Sequence, residues 1–431
     1  MVDRRERVER VEAWLRRTLD AGLERAGAGD VEEARELART AHHARLVRLE
    51  RELAGAATQL ERYLRRDPSF SLPAWVATLG RLDQLARATA RHLDHGEGDA
   101  DTLLGVMRRV YEPLAGTIEV AALGASGWVS DSGFCGITIH LWDRRAGRPW
   151  LASVARPVAV VGSDPRRLLF HPISEVTPLT LHELAHGGHV LDDVRVSSDG
   201  RLSLHTQLVA TPAAPCRPDD YRAYAVGGAA EVVDRLAAEA IGALGGGSAL
   251  VFVDGCAVRD VAIDPTAARG SATVVDGAGA RLEVSVPVRP ETDLLLENLA
   301  RVAQRGRVGL FGRAWLRGAS VGFEPYTAVF DAPVRLSVRR GTEVQAAHLS
   351  IEPIAGTVEL SHGRRAPRPD SPAAAELGAA LGAIDAVTDR LVGGGLAVAH
   401  PGLGEELGAL EATWDGAGVA TGARRLAALR G

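Results

Sequence analysis

Hydrophobic positions recur at three and four residues through roughly the first quarter of the chain and at two residues through its middle. Val8, Val11, Leu15 and Leu19 form one stripe, with the arginines and glutamates of DRRERVER opposite, and predict a first amphipathic helix. Asp30 followed by Glu33 reads as a capping-box start for a second helix through Leu37, Leu46, Leu49, Leu53 and Leu60, stopped at Pro68. A third, LPAWVATLGRLDQLARATARHL, follows with Val76, Leu79, Leu82 and Leu85 on one face, its neighbours expected antiparallel.

From about Thr117 the period becomes alternating. CGITIHLWDRRAGRPWLASVARPVAVV predicts two strands around DRRAG, with Ile137, Ile139 and Leu141 on one side. HVLDDVRVSSDGRLSLHTQLVA predicts another hairpin about SSDG. The stretch ATPAAPCRPDD reads as a boundary or long loop, AAEVVDRLAAEAIGAL as a helix, and ALVFV, SATVV and RLEVSVPV as further strands. The segment from SPAAAELGAALGAIDAVTDRL onward returns to a helical pattern. The expected fold class is multidomain α+β: a helical bundle over 1–112, a first β unit over 113–215, a second with an inserted helix over 216–365, and C-terminal helices over 366–431. The β units are expected to be small barrels or curved sheets.

The two β units echo each other. LHELAHGGHVLDDVRVSSDGRLSL and LENLARVAQRGRVGLFGRAWLRGASVGF both read as helix, glycine, strand, glycine turn, strand. In this alignment Leu181, Leu184 and Ala185 meet Leu296, Leu299 and Ala300, while His182, Glu183 and His186 meet Glu297, Asn298 and Arg301. A shared apolar stripe would then be the reason for the helix, and the polar positions would be free surface. A weaker echo sets ARLVRLERELA against AGVATGARRLA near the C-terminus.

Charge changes this picture little. The net charge is −5, and residues 1–112 balance 20 arginines with 20 acids, so no basic field calls for nucleic acid or an anionic membrane. All 50 basic residues are arginine, which excludes Schiff-base and P-loop chemistry that depends on lysine. The N-terminal MVDRRERVERVEAW lacks the apolar core of a secretory signal and no run of 18 apolar residues occurs, so a soluble cytoplasmic protein with no membrane contact is expected. Cys135, Cys216 and Cys256 are odd in number and widely spaced, which predicts buried thiols and neither a disulfide framework nor a four-cysteine zinc site.

The candidate chemistry is concentrated in PLTLHELAHGGHV. On a helix, His182 and His186 share a face and could both ligate Zn²⁺, with Glu183 as general base. His189 is the expected third metal ligand, with His205, His171 and Glu175 as other local candidates. The pentapeptide HELAH resembles the motif of zincin metallopeptidases over those five residues. The metzincin extension would require a glycine and a histidine where His189 and Asp192 stand, and no downstream helix-borne glutamate of the gluzincin kind is evident. Pro178 before the motif and Gly187–Gly188 after it limit the helix to about two turns.

Other chemistry is weaker. His42 and His43 point to different faces of one helix and read as solvated; Cys135 near Asp131 and His140 suggests a remote thiol nucleophile; GAGVATG has the wrong spacing for a dinucleotide loop. Trp128, Trp142, Trp150, Trp315 and Tyr326, beside Arg144, Arg145, Arg148 and Arg313, could stack bases if their sheet faces were free.

The helical EEARELARTAHHARLVRLERELAGAATQLERYLRRDP, the hairpin GWVSDSGFCGITIHLWDRRAGRPWLASVARP and the unit HVLDDVRVSSDGRLSLHTQL resemble uncharacterised actinobacterial proteins encoded beside SWIM-type zinc-finger proteins, MoxR-like ATPases and VWA-domain proteins. The resemblance implies an accessory role in a multi-gene bacterial system. The leading expectation is therefore a non-catalytic adaptor that binds a protein partner, or less directly a nucleic acid, with no cofactor. The alternative is a zinc-dependent metallopeptidase or hydrolase built on His182, Glu183 and His186.

Overall fold

The computed structural model describes residues 4–362 apart from short stretches, the longest being 237–247. The C-terminal helices and the GAGVATG loop expected from sequence lie outside the described residues, as does most of the helix expected at 229–244. The chain divides into two compact units, one around residues 1–108 and the other spanning 109–238 and 248–368.

The first unit is helical: α1 (Arg4–Ala21), α2 (Ala28–His43), α3 (Val47–Leu64) and α4 (Leu72–His95). Val8, Val11, Trp14 and Leu15 of α1, Leu37 of α2, Leu53 and Leu60 of α3, and Trp75, Leu82 and Leu85 of α4 fill its core. Full burial of each such leucine contributes roughly 1.5–3 kcal/mol. The single second helix expected from sequence is in fact two. The chain leaves α2 at Arg45, in the left-handed region at φ 58, where Leu46 N donates to Ala41 O (2.9 Å) and Arg45 N to His42 O (2.9 Å). These are the two hydrogen bonds of a Schellman stop. The expected Asp30–Glu33 box is also shifted: Asp30 is the third helical residue and its carboxylate accepts from Gly27 N at 2.7 Å.

The second unit carries two β modules. In the first, β1 (Ile118–Val129), β2 (Phe134–Asp143) and β3 (Arg148–Pro157) form an antiparallel meander with Ile137, Ile139 and Leu141 buried as their alternation predicts. Asp143 Oδ1 accepts from Arg145 N and Ala146 N and fixes the β2–β3 turn. A short helix, α5 (Leu181–His186), leads into β4 (Gly188–Asp192), which pairs antiparallel with β1, and β5 (Val209–Ala213) pairs with β4. The hairpin expected about SSDG is reduced to one pair, Val196 with Leu202, because β4 finds its partners in β1 and β5 instead.

The second module repeats this order. β6 (Ser248–Asp264), β7 (Arg269–Val275) and β8 (Arg281–Pro287) form a meander, α6 (Pro290–Ala303) follows, and β9 (Arg307–Arg317) returns antiparallel to β6. β10 (Ser320–Arg335) pairs with β9, and β11 (Glu343–His348) with β10. In both modules the strand after the helix pairs with the first strand of the meander. The two differ in closure: β8 meets β10 at Glu283 and Gly322, which makes the second sheet ring-like, whereas the first stays open. The fold is thus mixed α+β with duplicated β units, and among the described residues no helix is long and apolar enough to cross a membrane.

Candidate metal centre

α5 begins at a capping box. Thr180 Oγ1 accepts from Glu183 N (3.2 Å), and Glu183 Oε2 accepts in turn from Thr180 N (2.7 Å) and Thr180 Oγ1 (2.8 Å). Leu181, Leu184 and Ala185 are buried, so the apolar stripe does pack the helix into the module. The helix stops after six residues, where Gly187 turns extended and Gly188 enters the sheet, and neither of these positions admits a side chain. A Cβ on Gly187 would lie 2.4 Å from His189 Nε2, and one on Gly188 would lie 1.8 Å from Ala214 O, where β4 and β5 meet.

The imidazoles on the opposite face are not free surface. His182 Nε2 lies 3.3 Å from Glu352 Oε1, and His186 Nε2 lies 2.6 Å from Glu352 Oε2. The two histidine side chains are 18% and 14% exposed, and the Glu352 side chain is 0% exposed. All four atoms are buried, and none has an aligned hydrogen-bond partner in spite of the short separations. The three residues offer ligand atoms that lie within 4.8 Å of one another.

Neighbouring groups orient this set. His186 Nδ1 donates to His182 O at 3.1 Å, which turns Nε2 toward Glu352, where it carries the proton of the ion pair or, with that proton displaced, offers a lone pair to a metal. Glu352 stands on the turn after β11, with Ile351 N and Glu352 N both donating to His348 O. His348 fastens that turn to α5: its Nε2 donates to Ala185 O at 2.7 Å, and its Nδ1 accepts from Thr327 Oγ1 at 2.9 Å. Burial holds the His348 imidazole down at about 4, so the ring stays neutral in this bridging role. Phe170, 57% exposed, stacks on His182 with ring centroids 5.2 Å apart.

A fully buried carboxylate without a counter-charge costs several kcal/mol. In the metal-free chain His186 answers it: burial is the largest single influence and pushes the imidazole pKa down, but the charge and hydrogen-bonding contact of Glu352 and the bond to His182 O together outweigh it and the net direction is up. Glu352 responds in the opposite direction: burial, the largest single influence, raises its pKa, but His186 first and His348 and His182 after it together bring it down overall. His182 is pulled down, by burial first and by the nearby His186 second. One ion pair therefore accounts for His186 and leaves His182 Nε2 against the same carboxylate, 3.3 Å away and without an aligned hydrogen bond. A divalent cation accounts for all three side chains.

Two neutral imidazole nitrogens and a carboxylate are a donor set suited to Zn²⁺. The sequence-predicted third ligand is not part of it. His189 is buried, but its Nε2 donates to Glu183 O at 3.0 Å and it lies outside the converging group. His205 Nε2 donates to Asp193 O, and His171 and Glu175 are exposed. The residue missed was Glu352. This candidate ligand is borne on a turn in HLSIEPI, outside any helical period, and its one signal is an acid set between Ile351 and Pro353. Glu183, the expected general base, is exposed beside His182 with Oε2 committed to the cap.

The other candidates are dispersed. Cys135 and His140 sit five residues apart on β2 and so face opposite sides of the sheet. Burial pushes the thiols of Cys216 and Cys256 up to about 12. His42 is exposed and paired with Glu50 at 2.9 Å. The arginines proposed to stack bases are engaged: Arg144 with Asp220 (2.7 Å) and Glu119, Arg313 with Glu324 (2.8 Å), and Arg148 over the Trp150 ring at 4.0 Å.

The chain matches no protein-family model and no curated protein. Among solved structures it is similar to one described as "Molecular basis for abrogation of activation of pro-inflammatory cytokines", at 9% identity over 50% of this chain and 92% of the other, with a TM-score of 0.25. It is similar to another described as "Structural mimicry for functional antagonism", at 7% identity over the same shares, also with a TM-score of 0.25. Likeness at that level is no guide to fold or function.

Proposed function

We propose that this chain is a zinc-dependent hydrolase whose metal is held by His182, His186 and Glu352, with Glu183 as the proton acceptor. The observation that carries this reading is the convergence of four buried side-chain atoms from three residues, none with an aligned hydrogen bond. Structural zinc sites close with four protein ligands, whereas catalytic ones keep a position open; three ligands among the described residues, with partly exposed imidazoles, fit the second kind. A zinc ion there would supply Lewis-acid polarisation and lower the pKa of a water. The chain's own part is to hold the His186 ring through His182 O, to fasten the turn that bears Glu352 through the Ala185–His348 bridge, and to keep the exposed Glu183 carboxylate one residue from His182 on α5.

A non-catalytic adaptor or accessory role, alone or in a multi-gene system, is the second reading. It rests on the apolar stripe of α5, which is real but leaves the buried acid unexplained. A nucleic-acid partner draws no support from arginines already paired with acids. The test of the hydrolase reading is cleavage of a mixed peptide and ester panel by the zinc-loaded chain, followed by mass spectrometry. Wild type should cleave, and Glu183→Gln should keep its zinc and lose cleavage. A zinc-loaded wild type that cleaves nothing in the panel counts against hydrolysis and leaves the adaptor reading standing.

A further inference from the structure

The second β module contributes more than the third ligand, and what it adds lies on the helix that corresponds to α5. Asn298 on α6 is 0% exposed and stands at the alignment position of Glu183. Its Nδ2 donates to Leu349 O (2.8 Å) and to Glu352 O (2.6 Å), and its Oδ1 accepts from Ile354 N (3.0 Å). These three bonds span the turn on either side of Glu352. Arg301, at the alignment position of His186, donates through Nη1 to Asn298 Oδ1 (3.1 Å) and through Nε to Gly356 O (3.0 Å), and its Nη2 meets Glu297 Oε2 at 3.1 Å. The amide of Asn298 is thereby locked in one orientation, with both donors on the ligand turn.

We infer that Asn298 is the positioning residue for the metal ligand Glu352, and that the duplicated modules divide one metal centre between them. The α5 copy supplies two imidazoles. The α6 copy, at the equivalent positions, supplies the mount that holds the third ligand at their level. This inference rests on the metal-centre reading. The clasp bonds the backbone of the turn and never touches the carboxylate, so it acts on where Glu352 stands and leaves its charge alone.

The test is zinc affinity, measured by competition with a chromophoric chelator on the full chain, in a double-mutant cycle. Asn298→Ala should weaken zinc binding by about 10- to 100-fold, the usual effect of removing a group that orients a ligand. In a Glu352→Ala background the same substitution should change zinc affinity by no more than about twofold, because the residue it positions is gone. Should Asn298→Ala fail to fold, Asn298→Asp takes its place in the cycle: it keeps the acceptor for Ile354 N and Arg301 and removes both donors to the turn. A wild type that binds no zinc overturns the metal centre itself. A wild type that binds zinc, with Asn298 substitutions that weaken it equally with or without Glu352, or not at all, overturns the positioning role alone.

Discussion

His186 Nε2 stands 2.6 Å from Glu352 Oε2, a contact between a six-residue helix of the first β module and a turn of the second. Both atoms are buried and neither lies in line for a hydrogen bond. His182 approaches the same carboxylate from the preceding helical turn, at 3.3 Å.

Zinc added to metal-stripped protein should raise its thermal midpoint, since a ligand that binds only the folded chain stabilises it by about 2.7 kcal/mol at a free concentration 100 times its Kd. For a β unit of this size that corresponds to a rise of roughly 5–10 °C. Glu352→Ala should show no such rise. Differential scanning fluorimetry across a zinc titration reads both chains.

The cap and the chemistry at Glu183 separate by substitution. Thr180→Ala removes the hydroxyl that accepts from Glu183 N and should cost about 1 kcal/mol of stability, measured by urea unfolding, while the zinc content stays unchanged. Freed from Thr180 Oγ1, the Glu183 carboxylate keeps one of its two capping bonds, that from Thr180 N. Retention of cleavage activity in this variant is expected.

His140 predicts an acid-side weakness unrelated to the metal. Burial pushes its imidazole pKa down to about 4, with Arg313, Arg201 and His348 acting in the same direction, and its Nδ1 has no partner. The folded chain therefore holds this ring neutral while the unfolded chain protonates it near 6.5, so its contribution to stability is complete above pH 6.5 and is lost as pH falls toward 4. The loss is on the order of 3 kcal/mol. His140→Phe, a ring of similar size between Tyr326 and Phe311, should flatten the fall in stability between pH 6.5 and 4 in denaturant titrations.

The alternation of Ile137, Ile139 and Leu141 and the stripe of Val8, Val11 and Leu15 were legible because each side chain's fate depends on its own element's period. The break at Arg45 was not, since a left-handed residue other than glycine or asparagine leaves no mark in composition. In the HELAH segment the stripe of Leu181, Leu184 and Ala185 packs inward, as its spacing implies. The polar positions are not free surface: the equivalent Asn298 is fully buried, and His182 and His186 face Glu352. That pairing depends on how one module's turn meets the other module's helix, and no local period encodes it.

Metal analysis of the chain purified without chelator is the most direct measurement. About one zinc per chain in wild type, reduced to near zero in His186→Ala, is the expected result. Wild-type protein that carries no stoichiometric metal, and takes up none when zinc is supplied at neutral pH, would contradict a centre built from His182, His186 and Glu352.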